Sequence, residues 1–483
     1  MFVPDRLSEY ITDPCFRGLS ASNQQRIVTM LWAWSMPRHQ HMYNTKAASL
    51  HSSWLQKLWG NLETMRKVLA DKYFDVIVGS NVNRYTHAYT PYKFLAEGLI
   101  DFLLDDKPSA LRDSKGRAQE RPRQVFRSRA AAEGGKPGKH SVWSPLMCSP
   151  SVPINVAALE RFCTQTNDLR HQIAALWLRK LALMQAPPGA IPVSYEQVST
   201  GRVFDVHWHL QCTPREVLSA ALDGCWDYDI ENAHYSIAYQ WAKRCGIEAG
   251  AIKHYLDHKR EVRQALSHDC GIALHDIKES LIALLYGAVL HSDPRYSSIA
   301  DLVGHGPAER LKQHPIATAL AKDVQQIRAP IVASMPKHAG RIGNAAGVYV
   351  TPQSQSKSLC HALQGVEVCA LQAVVRAYGP EIVLLMHDGW VSTVPLDRED
   401  LEHRIAAATG FELKVEATKL PKYRPWGEPM GNSLGDVKAH LLRQFKDPMG
   451  VVKGRRLYQS PQWALPANAK GQRMPKRKPQ DAP

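Results

Sequence analysis

Apolar residues recur every three or four positions through "SASNQQRIVTMLWAWS", predicting an amphipathic helix with Ser20 or Ser22 as its N-cap. "SSWLQKLWGNLETMRKVLADKY" repeats the pattern and predicts a second helix. "FDVIVGS" reads as a strand and "YKFLAEGLIDFLLDD" as a third helix, so residues 1–105 are expected to form a mainly helical N-terminal domain. From Lys107 to Lys139 the periodicity stops. That stretch holds ten Lys or Arg against three Asp or Glu, with Pro and Gly throughout, so 106–142 reads as a flexible basic linker. Patterning returns over 143–430. "TNDLRHQIAALWLRKLALM" predicts a helix, "GRVFDVHWHLQ" alternates as a strand does, and "TPREVLSAALDG" is a short helix. Residues 431–483 form a C-terminal extension ending in the basic tail "AKGQRMPKRKPQDAP". No internal repeat is visible.

Composition places this pattern in an ordinary globular chain, with 44% hydrophobic and 22% charged residues among 483. The net charge of +15 favours a polyanionic partner. With that charge, the N-terminal helices and strand fit either a winged-helix-like DNA binder or a plain helical domain. The nine cysteines include no C-x-x-C, and "HWH" (His207, His209) and "HQH" (His39, His41) are isolated pairs, which argues against structural zinc. The N-terminus lacks a secretory pattern and no apolar run reaches membrane-spanning length, "SLIALLYGAVL" being the nearest. Scattered thiols without a secretion signal then point to the cytoplasm, with no membrane partner.

The chemistry concentrates in three stretches. "CWDYDIENAHYSI" puts Asp227, Asp229 and Glu231 at alternate positions of a strand, hence on one face, before a helix begins near Asn232. Such crowded carboxylates need a divalent metal, a basic partner or solvent. In "EIVLLMHDGWVST" an apolar strand ends in His387, Asp388 and Gly389, and a return strand follows. Asp388 is a turn-former or a metal ligand, and Gly389 suits the backbone of a tight hairpin. In "HDIKESLIALLYGA" Lys278 and Tyr286 lie eight positions apart, near one helix face, where the lysine can meet a triphosphate and Tyr286–Gly287 a base. "LDHKREVRQAL" adds Lys259, Arg260 and Arg263, otherwise a solvated basic face.

In this order the motifs resemble the palm and fingers of template-directed polymerases, over about residues 200–425. "KESLIALLYG" is similar to the fingers helix of family A DNA polymerases and single-subunit phage-type RNA polymerases, and "MHDGW" to their His-Asp hairpin. "SLCHALQGVEVCALQAVVRA" resembles the family A helix with a Gln-Gly near the primer–template, here Gln364 and Gly365; the residues alone also fit a core helix. "DIENAHYSI" is closer to the first palm motif of family B. Gly389 stands where family A carries an acidic residue, and Leu274 where its fingers helix carries an arginine.

The resemblance implies an α+β fold with an antiparallel-sheet palm, helical fingers, the N-terminal domain, and a flexible basic linker and tail. It implies a nucleotidyltransferase, foremost a DNA-directed DNA polymerase of a phage, plasmid or similar element. A DNA-directed RNA polymerase or primase of the same fold is the alternative. Asp229 and Asp388, with Asp227 as substitute for Asp229, would hold two Mg²⁺ ions, or Mn²⁺ in their place. Lys278 would stabilise the leaving pyrophosphate, and Tyr286, Gly287, Arg260 and Arg263 would contact the nucleotide. Gln364 and His387 would face the primer–template. His234, five residues past Asp229, would lie beneath the incoming sugar, excluding a 2′-hydroxyl by bulk or accepting it by a hydrogen bond. The expected partners are a primer–template and nucleoside triphosphates. Two competitors stand beside this reading. "DIE" resembles the first motif of proofreading exonucleases but has no matching downstream set, and a basic, non-catalytic replication initiator would use the acidic strand only structurally.

Overall fold

The computed structural model describes residues 2–447 apart from 37–39, 42–43, 50–51, 62–64, 66–67, 70–71, 78–87, 114–115, 119–125, 129–140, 144–145, 206–209, 423–430 and 446. His39, His207, His209, much of the basic stretch and the C-terminal tail lie outside the described residues, as does the side chain of His41.

The first predicted helix runs Ala21–Ser35, and Ser20 is its cap, its hydroxyl accepting from the Asn23 amide. The second ends at Trp59, where Gly60 takes φ +73° and breaks the helix. Beside these helices stands a four-stranded antiparallel sheet, ordered Gln40–His41, Asn44–Ser49, Ala88–Pro91, Phe74–Ile77. The N-terminal part therefore holds more strand than its periodicity suggested. It packs on the buried helix Leu169–Leu183, with the Trp32 and Trp177 rings 5.7 Å apart. Within the basic stretch, Phe126–Ser128 is a strand paired in parallel with Tyr195–Gln197. Phe126 anchors it, stacked between Trp143 and Tyr195 at 5.1 and 5.7 Å. A buried aromatic ring outweighs the surrounding charge at that point.

The elements around the acidic stretches are as follows. Strand β1 is Trp226–Ile230, followed by helix α1, Ala233–Arg244. Helices α2 (Lys259–Cys270), α3 (Leu274–Leu285) and α4 (Pro315–Ser334) lead to the long α5 (Gln355–Tyr378). The hairpin strands are β2 (Ile382–Leu385) and β3 (Gly389–Ser392); α6 (Arg398–Thr409) and β4 (Val415–Lys419) close the set. The four strands form one antiparallel sheet in the order β2-β3-β1-β4. Together with the helices this makes the chain α+β, as expected. Helix α5 packs on α1, α4 and α6. By length and apolar composition Gln355–Glu381 passes for a membrane span, contrary to the expectation that no run was long enough, yet 89% of its apolar window is buried in this fold.

Gly389 has a different reason from the one its turn position suggested. It is absent from the residues with left-handed backbone. Instead it faces Asp229 in register, and a Cβ there would lie 2.3 Å from the Tyr228 carbonyl oxygen. Only a residue without a side chain lets β3 approach β1 this closely. Gly389→Ala should destabilise the protein by about 1–3 kcal/mol or more, the range for a group forced into a packed site, seen as a lowered thermal midpoint.

Candidate active site

β1 buries Tyr228 and Ile230 on one face of the sheet and turns Asp227 and Asp229 to the other. The Ile230 amide donates to the Asp388 carbonyl at 2.8 Å, so the tip of the β2–β3 hairpin is tied to the end of β1. Asp229 and Asp388 thereby meet across adjacent strands. Asp227, Asp229 and Asp388 line one concave pocket with Arg215 and Lys422. Glu231, predicted on the same face, lies past the end of the strand and pairs with Lys259 at 2.8 Å. The run of three alternating carboxylates is thus a run of two, because the chain turns at Asn232, which takes φ +47°.

The electrostatics are those of charges short of solvent. Burial, and then the negative charge of Asp388, push the Asp229 carboxyl up to about 7, against the pull of Lys278. Burial also raises Asp227, opposed by Lys422, whose Nζ is 3.9 Å away, and by Arg215. Lys278 is lowered by burial and by Arg215, while Asp229 holds its proton on. Lys278 of α3 therefore lies within electrostatic reach of the carboxylates, and the Asp229 carboxyl is held largely protonated by its surroundings below about pH 7.

Beside the carboxylates lies a second group. His234 sits in the first turn of α1 and Tyr286 caps the end of α3, and the Tyr286 hydroxyl contacts His234 Nδ1. His234 Nε2 lies 2.7 Å from Glu367 of α5, which also accepts from Arg202 Nε at 2.7 Å. Burial raises the Tyr286 hydroxyl, and Gln364 hydrogen-bonds to it. His387 packs edge-on against Phe204 at 4.7 Å; burial and Arg202 lower it, and among the described residues its Nδ1 has no hydrogen-bond partner. Gly287 takes φ +94° and a Cβ there would collide with Ser356, while a Cβ on Gly365 would fall 2.4 Å from Asn344. Gly365 thus serves close packing of α5.

Two further predicted nucleotide contacts lie on α2, Arg263 within electrostatic reach of Lys278. Arg263 donates to Asn232 Oδ1 at 3.2 Å and to the Tyr255 hydroxyl, and so braces the β1–α1 turn. Arg260 is exposed on α2. Sequence reasoning missed Arg202 and Glu367. The available signal was a glutamate inside an apolar helix, since a buried carboxylate requires a partner.

Among the described residues no three His, Cys, Asp or Glu cluster as a ready-made metal site. No family model matches the chain, and no curated protein matches it. Among solved structures it is similar to the POL domain of Pol1 from M. smegmatis, in complex with DNA primer-template and dNTP. That likeness has a TM-score of 0.36 and 14% identity, and covers 53% of this chain and 51% of the other, about half its length.

The Asp229 shift gives a sign-definite prediction. Between about pH 4 and about 7 the folded chain keeps a proton that the unfolded chain releases, so this residue's contribution to stability is full below about 4 and lost as pH rises through about 7. With metal chelated, Asp229→Asn should match the wild-type melting temperature near pH 4 and exceed it by several degrees at pH 8. An equal difference at both values would contradict the shift.

Proposed function

We propose that the chain is a template-directed nucleotidyltransferase, foremost a DNA-directed DNA polymerase, with the β2-β3-β1-β4 sheet as its palm and α2 and α3 as its fingers. The observation that carries this reading is the meeting of Asp229 and Asp388 at the ends of adjacent antiparallel strands, with Lys278 within electrostatic reach. The residues fit magnesium. Its sites typically use one or two carboxylates and complete their shell with water and substrate phosphate, so a closed cluster is not required. Burial and then repulsion from Asp388 raise Asp229, and a bound dication would offset both.

Asp229 and Asp388 would hold two Mg²⁺ ions, with Asp227 in reserve, and the bound ions supply charge neutralisation and a more acidic primer 3′-hydroxyl. The remaining work belongs to the chain. Lys278 binds the triphosphate and stabilises negative charge on the pyrophosphate as the 3′-oxygen attacks the α-phosphorus. Tyr286 and Gly287 form the surface on which the nascent base pair sits, with Gln364 steadying the tyrosine. His234 stands where the incoming sugar would rest. The net charge of +15 favours backbone contacts that weaken steeply with salt. The same machinery would serve an RNA polymerase or primase, and the nucleotide accepted distinguishes them.

Primer extension with Mg²⁺, on DNA and RNA templates with dNTPs and NTPs supplied separately, tests the reading. Asp229→Ala and Asp388→Ala should each abolish extension while binding of primer–template persists. Wild type that binds DNA in a salt-dependent way but extends nothing would instead favour a non-catalytic initiator. Lys278→Ala should cost about 10²–10³-fold in rate, the usual price of a lost electrostatic donor, with Lys278→Arg partly active.

A further inference from the structure

Arg202 and Glu367 have no role in the reading above, yet they adjoin its centre. Glu367 is fully buried between Val366 and Val368. It accepts from Arg202 through both carboxylate oxygens, Arg202 Nη2 also lies 3.4 Å from His234 Nε2, and His234 Nε2 is 2.7 Å from Glu367 Oε2. A buried ion pair is often no more stabilising than apolar residues of the same volume, so stability alone is a weak reason for this one. Its third partner supplies a better reason.

The hydrogen-bond inventory of His234 is complete. In spite of burial, hydrogen bonds from His234 and Arg202 and the guanidinium charge hold the Glu367 carboxyl below its usual range, so it is an acceptor only. Nε2 of His234 must then carry the proton and donate to it. Nδ1 is occupied by the Tyr286 hydroxyl. With both nitrogens occupied from opposite edges, the ring cannot turn, and neither nitrogen is left for a substrate.

We propose that Glu367 is a positioning and specificity-determining residue. Braced by Arg202, it locks His234 so that the ring meets the incoming sugar as bulk and not as a hydrogen-bonding partner, which selects 2′-deoxynucleotides. The inference rests on the polymerase reading and on His234 lying beneath the sugar.

Steady-state kcat/KM for matched dNTP and NTP on one primer–template tests it. Wild type should favour the dNTP by about 10²-fold, what rejecting an added hydroxyl without a hydrogen bond achieves. Glu367→Gln should lower that ratio by about tenfold, chiefly through a lower KM for the NTP. In a His234→Ala background the same change should leave the ratio unaltered, a dependence that a merely structural glutamate would not show. Should Glu367→Gln fail to fold around Arg202, the paired Arg202→Met/Glu367→Met variant removes both charges at similar volume and should show the same loss of discrimination. Wild-type extension without discrimination, a preference for NTPs, or an unchanged ratio in the Glu367 variants would overturn this proposal alone. Wild type that extends with neither nucleotide would overturn the polymerase reading and this proposal with it.

Discussion

Two carboxylates brought together in a partly buried pocket repel one another, and the surrounding fold holds them there. Asp229 lies on β1 opposite Gly389 of β3, and the Ile230 amide fastens the Asp388 carbonyl beside it. Neither strand can slip by one residue without turning these side chains to the other face. The strain is electrostatic and visible in Asp229, raised to about 7 by burial and by its neighbour. A group so placed gains most from a cation.

The helices around the sheet supply complementary charge in graded degrees of burial. Arg215 and Lys422 act on the carboxylates from the pocket wall, and Lys278 acts on Asp229 from α3. Lys259 and Arg263 grip the β1–α1 turn through Glu231 and Asn232. Arg202 and Glu367 are deeper still and act on His234. The outer pairs are replaceable at small cost, since exposed pairs contribute little. The inner network is not, because removing one partner leaves a charge buried without compensation.

Much of this was legible in the sequence because it depends on local pattern. Alternation marked β1 and the hairpin, helical spacing put Lys278 and Tyr286 on one face, and the resemblance to palm motifs picked Asp229 and Asp388 from the carboxylates near strand ends. What was not legible depends on distant neighbours. Glu231 looked like a third carboxylate on the strand until the chain's turn at Asn232 removed it. Gly389 looked like a turn residue, whereas the demand comes from the Tyr228 carbonyl on another strand. Arg202 and Glu367 are 165 residues apart, and no local pattern pairs them. Phe126 was hidden by its basic neighbours, and the N-terminal sheet by strands too short to show alternation.

The central claim is that Asp229 and Asp388 together hold the divalent ions of a nucleotidyl-transfer site. It is tested most directly by Mn²⁺ binding, followed through the loss of the free-ion paramagnetic resonance signal, with matched nucleotide and primer–template present. The account predicts that wild type binds the ion and that Asp229→Asn and Asp388→Asn each abolish the tight binding, although both remain folded. Undiminished binding in either variant would contradict it.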